Sequence, residues 1–127
     1  MTEERPWGTW KVVHEEQNYS AAEFEKTVKV LTVNPGAMLS LQSHNNRDEF
    51  WVPLADGLVA YEDRRNTYSS DAGKADYLRR GYVHRVNRGT KHRLVNPCDV
   101  PISVVEIIFG KYDEEDITRY HDTYGRQ

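Results

Sequence analysis

Hydrophobic and polar residues alternate along most of this chain, in runs too short for ordinary helices. TVKVLTV (27–33), MLSLQSH (38–44), EFWVPL (49–54), GLVAYE (57–62), YVHRV (82–86), HRLV (92–95) and PISVVEIIF (101–109) are rich in β-branched and aromatic residues. Their short length and composition predict strands. NPG (34–36), ADG (55–57), NTYSSDAGKAD (66–76), NRG (87–89) and NPCDVP (96–101) separate them as turns. Many short strands punctuated in this way predict an all-β sandwich or barrel. The stretch 66–76 is the least hydrophobic and is expected to be a mobile loop. One short C-terminal helix is expected at DEEDITRY (113–120), where four acids lead and Arg119 stands near the end, as the helix dipole favours. HDTYGR (121–126) then runs out as coil. At the other end RPWGTWKVV carries two tryptophans around a glycine. Rings of that size usually bury, so this arm is expected to pack on the barrel.

Composition narrows the function classes. The 127 residues suit one domain, taken as 1–127, with 38% hydrophobic and 29% charged residues. No apolar run is long enough to span a bilayer, and the N-terminus lacks the apolar core of a signal peptide. A cytoplasmic protein without membrane contact is expected. The net charge of −3 gives no case for nucleic acid. The basic run RRGYVHRVNRGTKHR (79–93) suits a small anion better than a polymer. Cys98 is the single cysteine, so an internal disulfide and a multi-thiolate metal site are excluded. Any metal must take nitrogen and oxygen ligands.

The chemistry concentrates in LSLQSHNNRDEFW (39–51). As a strand, it points Ser40, Gln42 and His44 to one face and Leu39 and Leu41 to the other. The spacing runs Gly36-x5-Gln42-x-His44-x4-Glu49-x7-Gly57, and later Gly81-x5-Asn87-x-Gly89-x2-His92-x3-Asn96. The two patterns, in this order, resemble the two motifs of the cupin barrel, with Gln42 at the first histidine position and Asn87 at the proline position. The string QxHxxRxExW (42–51) resembles the cupin domain of type II phosphomannose isomerases, which is often fused behind a mannose-1-phosphate guanylyltransferase. RPWG (5–8), VNPGAMLSLQSH (33–44), GTxHRxxNP (89–97) and EDIxRxxDxYGR (115–126) extend the likeness over nearly the whole chain.

The resemblance implies a double-stranded β-helix, a jelly-roll barrel, with Gln42, His44, Glu49 and His92 as metal ligands. Zn²⁺ suits that set first, and Mn²⁺, Fe²⁺, Co²⁺ or Ni²⁺ also fit it. It implies interconversion of mannose 6-phosphate and fructose 6-phosphate. Candidate catalytic residues are Arg93, Glu106 and Lys91, and Arg47 and Arg93 are candidates for the sugar or its phosphate. Arg119 and the tail after it are expected as a structural clasp at the barrel mouth. The extra residue between Glu49 and Gly57 suggests a bulge at Pro53–Asp56. A non-catalytic or regulatory cupin binding a sugar or sugar nucleotide is the competing reading. An isomerase or epimerase of another sugar is a third. A homodimer is expected by analogy of fold, with Leu39, Leu41, Val30, Trp7 and Trp10 as its apolar contact.

Overall fold

The computed structural model describes residues 2–16, 25–63, 73–110 and 115–121. Among these residues eleven strands follow one another: β1 (Thr2–Arg5), β2 (Gly8–Glu16), β3 (Lys26–Val33), β4 (Leu41–Ser43), β5 (Arg47–Pro53), β6 (Val59–Asp63), β7 (Gly73–Tyr77), β8 (His84–Val86), β9 (Lys91–Val95), β10 (Ile102–Gly110) and β11 (Thr118–His121). They form a six-stranded sheet in the order β1-β2-β3-β10-β5-β8 and a five-stranded sheet in the order β11-β4-β9-β6-β7. All pairings are antiparallel. The two sheets enclose a single core, as the predicted barrel requires.

The alternation read from the sequence sets which side chains enter that core. In β3, β5 and β10 every second residue is buried. Register then sorts the inward residues by chemistry. Val104 lies opposite Leu31 and Pro53, and Ile102 opposite Val33, which makes one end of the sheet apolar. Glu106 lies opposite Lys29 and Trp51, and Arg47 and Glu49 follow on β5, which makes the other end polar. Leu58, Ala60 and Leu94 close the apolar end from the second sheet and are fully buried.

The motif glycine and asparagine stand at the apolar end. Gly57 has φ +123°, and a Cβ there would lie 2.6 Å from Cys98 Sγ and 3.0 Å from Ile102 Cδ1. Asn96 is wholly buried, donates through Nδ2 to Val33 O (2.9 Å) and Val100 O (2.8 Å), and accepts the Cys98 N–H (3.0 Å). It ties three segments through one amide. Asn96→Ala strands all three partners, so urea denaturation should show a loss of about 3 kcal/mol. Asn96→Asp should also destabilise, because a carboxylate cannot donate to the two carbonyls.

Several expectations change. Residues 115–121 contain no helix: Thr118–His121 is β11, paired with β4 along its open edge. The dipole reading fails because that edge offers backbone partners and Thr118 and Tyr120 favour strand. Residues 113–114 and 122–126 lie outside the described residues. The expected loop 66–76 gives way to strand β7 from Gly73, and 66–72 lie outside the described residues. No bulge interrupts β5, which pairs with β10 in unbroken register through Pro53; the extra residue enters the bend at Leu54–Asp56. Strict alternation also fails before β4. Leu39 is buried in the core, because residues 39–40 precede the strand and the Leu39 N–H bonds Leu94 O (2.9 Å). Trp7 is buried and Trp10 packs against the core, as the arm reading expects. Leu39, Trp7 and Trp10 therefore face inward and cannot supply the dimer contact. Among the described residues no helix is long and apolar enough to cross a membrane.

Candidate metal centre

At the polar end, β5 and β9 bring Glu49 and His92 together, and the turn after β4 adds His44. All three side chains are at most 4% exposed, and one ligand atom from each lies within 4.8 Å of the others. His44 Nε2 is 3.1 Å from Glu49 Oε1, and His92 Nε2 is 3.8 Å from Glu49 Oε2.

Backbone carbonyls set how each imidazole faces. His44 Nδ1 lies 2.6 Å from Asp116 O, and His92 Nδ1 lies 2.8 Å from Thr90 O. A carbonyl only accepts, so each Nδ1 carries the proton and each Nε2 presents a lone pair. Arg47 confirms this at His44: its Nη2, which only donates, lies 2.9 Å from Nε2, while its Nε donates to Glu49 Oε1 (3.0 Å). His92 Nε2, although buried, has no hydrogen-bond partner among the described residues. The open His92 lone pair, the His44 lone pair that Arg47 occupies and the Glu49 carboxylate thus converge among buried side chains. That donor set fits a divalent cation with bonds of about 2.0–2.2 Å, and the orphaned Nε2 is the atom that asks for one.

The second half of the pocket is acid–base in character. Glu106 lies beside Glu49 and accepts from Trp51 Nε1 (2.8 Å). Burial and the neighbouring Glu49 carboxylate push its pKa up to about 8, against the opposing charges of Arg47 and Lys29. Glu49 goes the other way. Burial alone would raise it, but its contacts with His44, His92 and Arg47 hold it well below the ordinary carboxylate range. Burial holds the His92 imidazole below its usual value, and the Glu49 charge offsets only part of that.

These opposed shifts predict a pH dependence for the chelated protein. Folded Glu106 keeps its proton to about pH 8, whereas unfolded Glu106 releases it near 4.5. Between those values the native state binds the extra proton, so stability falls as pH rises, by on the order of 4 kcal/mol. Glu49 contributes with the opposite sign: its stabilisation is present above the ordinary carboxylate range and is lost on acidification below it. Denaturation from pH 5 to 8 should show the decline in wild-type protein and a flatter profile in Glu106→Gln.

The pocket has a volume of about 260 Å³, and its lining includes Gln42, His44, Arg47, Glu49 and Glu106. Gln42, the fourth expected ligand, is half-buried there, in register with His92. The structure does not bring Arg93 and Lys91 to this pocket. Strand alternation turns both away from His92: Arg93 Nε donates to Leu39 O (3.0 Å), and Lys91 Nζ lies 4.5 Å from the centre of the Tyr120 ring. Sequence reasoning missed Asp116, whose carboxylate accepts the N–H groups of Asn45 and Asn46 (3.0 Å each) while its carbonyl holds His44. It stood inside the expected helix, and only the EDI string hinted at it. Trp51 was visible in QxHxxRxExW, without a sign that its N–H would meet Glu106. His84, outside both spacing patterns, stacks on Trp51 and contacts Glu62 at 2.8 Å.

The family profile described as "Mannose-6-phosphate isomerase C-terminal" matches residues 1–122. The chain is 32% identical to the xanthan biosynthesis protein XanB of Xanthomonas campestris, over 96% of this chain and 23% of that protein. It is likewise 32% identical to the mannose-1-phosphate guanylyltransferase ManC of Salmonella typhimurium, over 96% of this chain and 22% of that one. The chain therefore spans under a quarter of the length of these relatives. Among solved structures, the capsular polysaccharide assembling protein CapF of Staphylococcus aureus superposes with a TM-score of 0.76 at 13% identity, covering 95% of this chain and 34% of that one. At that identity the likeness speaks for the fold alone.

Proposed function

This chain belongs to the mannose-6-phosphate isomerase C-terminal family, and on that premise we propose that it is a metal-dependent isomerase interconverting mannose 6-phosphate and fructose 6-phosphate. The buried His92 Nε2, facing Glu49 without a hydrogen bond among the described residues, carries the proposal, because it gives this chain its own reason to hold a cation. His44, Glu49 and His92 would hold the ion, with Gln42 as the fourth candidate, and Zn²⁺ is the ion proposed. When bound, it would supply Lewis acidity toward the sugar's carbonyl and hydroxyl oxygens.

The chain's residues account for the proton traffic. Aldose-to-ketose conversion removes a proton from C2 and delivers one to C1, while a hydroxyl proton shifts from O2 to O1. Glu106 is placed to take the C2 proton and return it to C1. A buried carboxyl beside Glu49 is a group that can both accept and donate a proton. The Trp51 N–H holds one carboxyl oxygen and so fixes where the other points. Burial of Glu49, Trp51 and Glu106 keeps water from competing for the proton.

One observation favours a second reading, a sugar-binding module without catalysis. Arg47 already bridges His44 and Glu49 with its own positive charge. A coupled assay with mannose 6-phosphate separates the two. The isomerase reading expects fructose 6-phosphate to form, to stop on chelation and to resume when Zn²⁺ is restored. Binding of the sugar phosphate without turnover by metal-loaded protein would favour the module.

A further inference from the structure

The pocket is cationic in a chain that is not. Arg5, Lys29, Arg47 and Arg119 line it against two carboxylates, Glu49 and Glu106, while the whole chain carries −3. The four cations come from β1, β3, β5 and β11, so the topology converges them rather than one basic run. The basic run 79–93 supplies none of the lining.

Depth divides the four. Arg47 is buried against His44 and Glu49 at the inner end. Lys29 is as deeply buried, opposite Glu106, whereas Arg5 is partly and Arg119 largely exposed. Lys29 Nζ stands 4.0 Å from the centre of the Trp10 ring, and the Arg5 guanidinium 5.2 Å from it. Arg5 also meets the Glu4 carbonyl (2.8 Å) and, at 3.7 Å, the exposed Glu3 carboxylate. Arg119 is exposed and lies in register with Gln42, which is itself in register with His92. Two strand spacings set its backbone roughly 10 Å from that of His92.

We propose that Arg5 and Arg119 form a phosphate-binding subsite at the outer end of the pocket, with the buried Lys29 ammonium beneath them at Trp10, so that the sugar's carbonyl end reaches Glu106. The inference rests on the sugar-phosphate reading and adds to it the residues that select for the phosphate. It moves the phosphate contact from Arg93, which faces away, and Arg47, which is bonded to His44 and Glu49, to two arginines from two strands. Two guanidinium groups bind phosphate oxygens as planar forks, and the half-buried Trp10 face beneath Arg5 and Lys29 lowers the local dielectric. The clasp expected of Arg119 becomes a ligand contact.

Calorimetric titration of inorganic phosphate tests this, with and without bound metal so that phosphate on the ion is not counted. Wild-type protein should bind phosphate in both forms. Arg5→Gln and Arg119→Gln should each weaken it by about tenfold or more, and the double variant should lose it. Both side chains are partly or largely exposed, so thermal unfolding should stay unchanged in the variants. Affinity for mannose 6-phosphate should fall in parallel, and affinity for mannose should not. Equal phosphate affinity in wild type and double variant would overturn the subsite, as would no phosphate binding by wild type. Phosphate binding that the double variant loses, in a protein that does not turn over mannose 6-phosphate, would keep the subsite and sink the isomerase reading.

Discussion

Glu106→Gln should lower kcat for mannose 6-phosphate by roughly 10²–10⁴-fold, the range a positioned general base supplies, while bound metal stays stoichiometric. The substitution keeps the volume of the side chain and an oxygen to accept from Trp51 Nε1, now 2.8 Å from the carboxylate. It removes the one property an amide cannot replace, which is the capacity to carry a proton. KM should change little, because no phosphate contact is lost. A variant with a raised KM and an intact kcat would place Glu106 in binding instead. Turnover near the wild-type level would remove it from the chemistry altogether.

His44→Ala should lose both metal and turnover. His44 Nε2 lies 3.1 Å from Glu49 Oε1, and its Nδ1 is pinned to Asp116 O at 2.6 Å. Deleting the ring removes a ligand atom rather than a supporting partner, so affinity for the ion should fall by more than the roughly 10–100-fold that loss of a supporting partner costs. Asp116→Ala is the graded control. It keeps the carbonyl that holds His44 but releases Asn45 and Asn46, and should weaken metal binding by no more than that range. Elemental analysis of the dialysed proteins reads both. Stoichiometric metal in His44→Ala would refute the ligand assignment.

The sequence disclosed the barrel because its strands alternate cleanly where both partners are long. β3, β5 and β10 keep the two-residue period over their full length, and the inward residues Leu31, Trp51 and Val104 follow from it. The period broke where an element was short or irregular. β4 is three residues long, so Leu39 before it escaped the alternation and turned inward. β11 depends on an open edge that no local pattern announces, and its acids misled toward a helix. Spacing picked out His44, Glu49 and His92, which the fold does gather. It could not tell which face of β9 meets the pocket, so Arg93 and Lys91 were expected beside the substrate, although as neighbours of His92 on a strand they point away from it. Arg5 stood in the RPWG string and Lys29 in a strand, but neither pointed to the pocket, because their meeting at Trp10 depends on the order of β1, β2 and β3.

The most direct test is to titrate chelated wild-type protein with Zn²⁺ and to read bound metal and mannose 6-phosphate turnover on the same samples. Both should rise together and level off at one ion per chain. Metal that saturates at one per chain while turnover stays at the blank, or turnover that is full before metal is added, would contradict the account.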